Sequence, residues 1–304
     1  MAVHAPSTAE APDRREAPRP AAQLVPLSPG AADGLPTLFL VHAIGGTVHP
    51  YAALAKALKD TYSVVGIEAF GLYGEGAPVD SLAEIVERYA AAVRAASPDG
   101  PYLLGGWSMG GIVAFEMARR LERDGAEVRF VAVLDSPFLL SPAELGLDGA
   151  AAAHDGASPL VARFAEDIAD SLGWSIPAAA ASDPLGWVAG AVTGDGDSPG
   201  DREQTQAMRA ELEGRFRVFR AHADALAHYT PRGSVAADLL LLTPDRSSNI
   251  GSARRWATRT AGRHHHIHVP GDHYAFLRAP LVEEIASFIR TATAPRGALA
   301  PQAG

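Results

Sequence analysis

Apolar residues in this chain fall into two kinds of run. Residues 37–41 (Thr37-Leu38-Phe39-Leu40-Val41), 102–105, 129–134 (Arg129-Phe130-Val131-Ala132-Val133-Leu134) and 237–243 are short and almost unbroken. That is how strands read when helices cover both faces of a parallel sheet. Residues 266–269 alternate instead. After residue 108 the pattern changes period: Ile112, Phe115, Ala118 and Leu121 recur every three or four positions, while Glu116, Arg119, Arg120, Glu122 and Arg123 mostly take the other side. This predicts an amphipathic helix that stops at Gly125. Further helices are expected over 51–58, 159–172, 202–228 and 281–291. Strands that alternate with helices imply an α/β architecture, a mostly parallel central sheet with helices on both faces.

The alternation lapses between residues 135 and 237, where about 100 residues hold helical stretches, Ala-rich and Gly/Pro-rich pieces and aromatics such as Phe138, Phe164, Trp174, Trp187, Phe216, Phe219 and Tyr229. A helical insertion over about 138–232, of a size to serve as a lid, accounts for the lapse, and its aromatics could cover an apolar channel or simply fill its core. Residues 1–30 are rich in Ala and Pro and cannot build a core. They are expected to be a flexible linker, residues 31–292 the folded domain, and residues 293–304 a flexible tail.

The junction of strand and helix at residues 106–110, Gly106-Trp107-Ser108-Met109-Gly110, carries the chemistry. A serine on such a sharp turn takes a strained backbone conformation, and the flanking glycines let strand and helix approach without a Cβ clash. With 30 glycines in the chain the five-residue pattern is weak evidence alone, but its strand–turn–helix setting makes Ser108 the candidate nucleophile. A serine hydroxyl needs a base, and the base an orienting acid, in the chain order Ser, Asp or Glu, His. Asp135 ends the strand over 129–134, and His273 sits in the late loop Val269-Pro270-Gly271-Asp272-His273-Tyr274. Asp245, at the end of Leu241-Leu242-Thr243-Pro244-Asp245, competes for the acid role, and either aspartate could instead cap a helix or form a turn. Backbone N–H groups of Met109 and of Ile44, with Ala43 the neighbouring alternative, are candidates for an oxyanion hole, because His42-Ala43-Ile44-Gly45-Gly46-Thr47 is a glycine-containing loop after an early strand.

These segments, together with Phe115-Glu116-Met117-Ala118, resemble the thioesterase domains that terminate nonribosomal peptide synthetases and polyketide synthases, over about residues 36–289. The resemblance implies an α/β-hydrolase fold with a helical lid insertion. It implies a serine hydrolase that takes an acyl or peptidyl chain from the phosphopantetheine arm of a carrier protein and releases it by hydrolysis or macrocyclisation, with no resident cofactor. It maps the acid to Asp135, whereas the related free-standing editing thioesterases would place it at Asp245. The family commonly has His-Pro where this chain has His42-Ala43. A carboxylesterase or lipase, and a non-catalytic carrier-binding module of the same fold, remain the other readings.

Composition narrows the field. A net charge of −9 disfavours phosphate-backbone binding, so no nucleic-acid partner is expected. No apolar stretch approaches 18 residues and no signal-peptide pattern opens the chain, so neither a membrane span nor secretion is expected. The absence of cysteine fits a cytoplasmic setting and excludes a thiol nucleophile. His264, His265, His266 and His268 alternate faces on a strand and do not converge on a metal, and Thr193-Gly194-Asp195-Gly196-Asp197 lacks the distal glutamate of a calcium loop. The chain begins with methionine and contains no recognisable carrier domain, which leaves a free-standing protein and an excised domain both open.

Overall fold

The computed structural model describes residues 22–28, 34–145, 147, 158–194, 196 and 198–294. Seven strands form one sheet: β1 (Gln23–Pro26), β2 (Thr37–Val41), β3 (Ser63–Glu68), β4 (Tyr102–Trp107), β5 (Val128–Leu134), β6 (Asp238–Pro244) and β7 (His264–Val269). Their order is β1-β3-β2-β4-β5-β6-β7, with β1 antiparallel to β3 and every other pair parallel. The period of two along each strand divides the core. Phe39, Val41, Leu104, Val131, Val133, Leu239 and Leu241 belong to one buried cluster, and their chain neighbours Leu38, Leu40, Leu103, Phe130, Ala132, Leu240 and Leu242 to the other.

The first cluster is covered by α2 (Leu82–Ala96) and α3 (Met109–Arg123), the second by α1 (Ala52–Leu58) and α8 (Leu281–Thr293). A short helix, α7 (Ser252–Ala257), packs Trp256 against Phe115 and Phe138. Between β5 and β6 the chain forms α4 (Pro159–Leu172), α5 (Pro184–Thr193) and α6 (Pro199–Ala227), the helical insertion expected from the lapse in alternation. Each of these helices opens on a side-chain cap followed by proline at its first position: Ser158, Asp183, and Ser198 in a reciprocal capping box with Asp201.

Two differences from the sequence reading have clear causes. Strand β1 lies inside the segment expected to be linker: Gln23–Pro26 pairs along β3, so backbone pairing at the sheet edge orders a stretch whose composition signals none. Helix α6 begins at Pro199, three residues before its expected start, because the capping box turns a Gly/Pro-rich piece into a helix start. Strand β3 and helices α2, α5 and α7 had not been anticipated. Residues 1–21 and 29–33 of the expected linker, most of the expected tail (295–304), and Asp195 and Asp197 lie outside the described residues. Helix α8 itself runs to Thr293. No helix among the described residues is long and apolar enough to cross a membrane.

Candidate active site

Five loops leave the carboxyl ends of parallel strands β2, β4, β5, β6 and β7 side by side, the place where an open α/β sheet presents its chemistry. Ser108 follows β4 and Asp135 follows β5. In register, Trp107 pairs with Leu134, so the two residues step off adjacent strands together. Backbone bonds hold both exits, Ser108 N–H to Leu134 O at 3.0 Å and Asp135 N–H to Leu242 O at 2.7 Å. Among the described residues, Ser108 (φ 58°) and Asp135 (φ 43°) are the only two non-glycine residues with positive φ. Such conformations cost of order 1–3 kcal/mol each and persist where the surrounding structure over-determines them, above all at functional sites.

The glycines make the elbow possible. A Cβ at Gly106 would overlap the backbone of Gly110, and one at Gly110 would overlap the carbonyl of Val41 at the end of β2. The first turn of α3 is thereby packed directly on two strands, with Ser108 as its N-cap and the Met109 amide as the first of its unpaired donors.

Asp135 is fully buried, and its two carboxylate oxygens have separate partners. Oδ2 meets Nδ1 of His273 at 2.6 Å, and Oδ1 accepts from the Ser247 hydroxyl at 2.6 Å. Asn249 adds a bond from Nδ2 to the Asp135 carbonyl at 3.0 Å. The competing Asp245 does other work: it accepts from the backbone N–H of Gly271 at 3.0 Å and so fixes the loop that carries His273, without reaching the ring. The imidazole packs against Trp107, with ring centroids 4.8 Å apart, and against Tyr274.

Ser108, Met109, Ile44 and His273 line one cavity of about 250 Å³. The Ser108 hydroxyl makes no hydrogen bond to the His273 ring in this structure, although the two face the same space. Serine–imidazole bonds in unliganded sites are often open and tighten only in the reacting complex. Larger cavities, about 630 Å³ between α2, α3 and the end of α6 and about 710 Å³ near Asp238, are lined by neither Ser108 nor His273, so size alone does not find the site.

The sequence model of the Thioesterase domain family matches residues 36–293. The chain belongs to that family. Over 102 residues, a third (34%) of its length, it is 41% identical to the nonribosomal peptide synthetase pngA of Aspergillus terreus, and spans 11% of that protein. Over 116 residues (38% of the chain) it is 33% identical to the polyketide synthase PksR of Bacillus subtilis, and spans 4% of it. The chain is thus a small part of the length of these curated relatives. Among solved structures, the NocB thioesterase domain in covalent complex with a fluorophosphonate nocardicin G analogue superposes with a TM-score of 0.56 at 25% identity, covering 89% of this chain and 99% of that one.

Within this thioesterase domain the helical insertion touches the loops that carry His273 and Ile44. From α4, Asp167 accepts from the Tyr274 hydroxyl at 2.6 Å beside His273, and burial raises its carboxyl above the usual carboxylate range. From α6, His222 Nδ1 meets the Ile44 carbonyl at 2.7 Å. His222 also stacks on His42, which is wholly buried, with ring centroids 4.8 Å apart. Burial, followed by the neighbouring His222, lowers the His42 pKa from 6.5 to about 3, and burial lowers that of His222 to about 4. Both rings are therefore neutral at physiological pH.

Sequence reasoning had missed Ser247, Asn249, Asp167 and His222. No local signal marks them, since each meets its partner more than 100 residues away in the chain.

Proposed function

We propose that this domain is a serine thioesterase that releases a peptidyl or polyketide acyl chain from the phosphopantetheine thioester of a carrier protein, through an acyl intermediate on Ser108. The observation that carries the reading is the 2.6 Å contact between buried Asp135 and His273 Nδ1, on a ring that shares a cavity with the strained Ser108 elbow.

In this reading His273 Nε2 takes the Ser108 proton as the oxygen attacks the thioester carbonyl. The resulting oxyanion receives hydrogen bonds from the Met109 and Ile44 N–H groups, and Asp135 stabilises the imidazolium. Collapse breaks the C–S bond. The imidazolium returns its proton to the departing thiolate, leaving an ester on Ser108. Water, or a hydroxyl or amine of the chain itself, then attacks that ester with His273 again as base; the bond to the Ser108 oxygen breaks, that oxygen takes the proton back from the imidazolium, and a free acid or a ring departs.

The position of the acid favours the synthetase-terminal kind of thioesterase over the free-standing editing kind, since it is Asp135 rather than Asp245 that meets the imidazole. Incubation with a fluorophosphonate tests the reading. Wild type should gain the probe's mass at one residue and Ser108→Ala should gain none; an unlabelled wild type would leave a binding module of this fold. Product masses from acyl and peptidyl pantetheine thioesters then separate hydrolysis from cyclisation, because the ring lacks one water.

A further inference from the structure

Behind the Ile44 amide lies a short buried chain of hydrogen bonds. The Ala43 carbonyl, which belongs to the same peptide group as the Ile44 N–H, receives His42 Nδ1 at 2.6 Å and the Gly46 N–H at 3.0 Å. On the other side of the ring, His42 Nε2 meets the Tyr89 hydroxyl at 2.6 Å. A carbonyl oxygen can only accept, so the proton of the neutral ring sits on Nδ1. Nε2 then carries the lone pair and accepts from Tyr89. All the groups are out of water: His42 is wholly buried and Tyr89 nearly so, on the face of α2 that packs with Leu82, Ile85, Val86 and Val93.

We infer that Tyr89 and His42 are positioning residues that polarise and hold the Ala43–Ile44 peptide, so that its N–H becomes a stronger donor to the oxyanion. The inference rests on the serine thioesterase reading, within which Ile44 supplies one oxyanion bond. Each bond in the sequence Tyr89 O–H to His42 to Ala43 C=O enlarges the dipole of the next, and the last acts on the peptide whose N–H belongs to Ile44, a residue that lines the cavity. The stacked His222 covers one face of the His42 ring and bonds the Ile44 carbonyl, while Ala43 and Tyr89 take up both ring nitrogens. His42, read in the sequence only as part of a loop, thus acts through a peptide it does not itself present to substrate.

The size of the effect follows from two general magnitudes. One oxyanion donor is worth about a hundred- to a thousandfold in kcat. Cooperative strengthening amounts to about 10–30% per bond, so the relay is worth about two- to eightfold.

The experiment compares wild type, Tyr89→Phe and Tyr62→Phe. Tyr62 is also buried and hydrogen-bonds Thr293 away from the site, and its replacement reports the general cost of losing a buried tyrosine hydroxyl. With an octanoyl N-acetylcysteamine thioester as probe, Tyr89→Phe is expected to lower kcat by about two- to eightfold with KM within twofold. An alkylboronic acid, whose adduct places a negative oxygen at the oxyanion position, should bind more weakly by the same factor, and Tyr62→Phe should change neither. A fall in kcat with unchanged boronate affinity would overturn the inference, as would unchanged kinetics in both variants.

Nitrogen-15 spectra of the wild type need no variant: His42 should show a protonated Nδ1 and a bare Nε2 throughout pH 5–8. A proton on Nε2 would refute the relay even in a well-behaved enzyme. Fluorophosphonate labelling of the wild type separates the two ideas. An unlabelled wild type sinks the thioesterase reading, whereas a labelled wild type with an indifferent Tyr89→Phe sinks only the relay.

Discussion

Lowering the pH from 7.5 to 5.5 should weaken the fold by a calculable amount at His222. In the folded chain this ring stays neutral down to about pH 4 because burial opposes its charge. In the unfolded chain it takes up a proton below its ordinary pKa of about 6.5. Between those values the unfolded state binds more protons, so stability is undiminished above pH 6.5 and falls as the pH drops below it. At pH 5.5 an unfolded imidazole is about ten-elevenths protonated, which favours unfolding by about 1.4 kcal/mol per ring relative to pH 7.5. The figure depends only on the folded pKa lying well below 5. His42, lowered to about 3, contributes a similar amount. Replacing His222 by glutamine, which retains an N–H donor for the Ile44 carbonyl, removes one titrating ring. Urea unfolding followed by the fluorescence of the 4 tryptophans should therefore show a pH 7.5-to-5.5 stability loss about 1.4 kcal/mol smaller in His222→Gln than in wild type, other groups cancelling in the comparison. Equal losses in the two proteins would mean that the ring is solvated or charged in the native state, and the argument for a neutral stacked pair would fail.

Other substitutions separate the roles within the site. Asp135→Asn should slow acylation by about 10⁴-fold, measured by stopped-flow labelling, because the amide holds the wrong imidazole tautomer. Asp245→Asn, which keeps an oxygen for the Gly271 N–H, should stay within about tenfold of wild type, since the general value of one hydrogen bond is only about 1 kcal/mol. Ser247→Ala leaves one oxygen of a buried carboxylate without its donor and should lower unfolding stability by about 1.5–3 kcal/mol in the same urea assay. Gly110→Ala drives a methyl group into the Val41 carbonyl and should cost at least about 3 kcal/mol, read as a large drop in the thermal midpoint or as insoluble protein.

What the sequence could reveal depended on how local each signal was. The elbow at 106–110 is contained in a few adjacent residues, and its glycines and serine announce the turn without help from the rest of the chain. The buried strands β2, β4, β5 and β6 were visible for the same reason: apolar runs of this length have few alternatives in an α/β chain. Strand β1 was not, because its residues are only half-buried and its order comes from pairing with residues about 40 positions later. Helix α2 has a clean apolar face, Leu82, Ile85, Val86, Tyr89, Ala90 and Val93, and its omission concealed what Tyr89 does.

The choice between Asp135 and Asp245 marks a deeper limit. Both aspartates end adjacent parallel strands and both bond the loop that holds His273, one through its ring and one through the backbone at Gly271. Composition and spacing treat them alike; what differs is the backbone. At φ 43° Asp135 leaves β5 in a left-handed turn, its carboxylate buried against Ser247; Asp245, whose N–H likewise bonds the next strand at Val269, has no positive φ and turns its side chain to the Gly271 N–H. A left-handed residue that is not glycine must be held there by its neighbours, and here the holders are Leu242, Ser247 and Asn249, all supplied by β6 and the loop after it. The acid at the imidazole is thus selected by residues more than a hundred positions downstream. A sequence can propose such a site, but three-dimensional packing decides which of two equivalent aspartates occupies it.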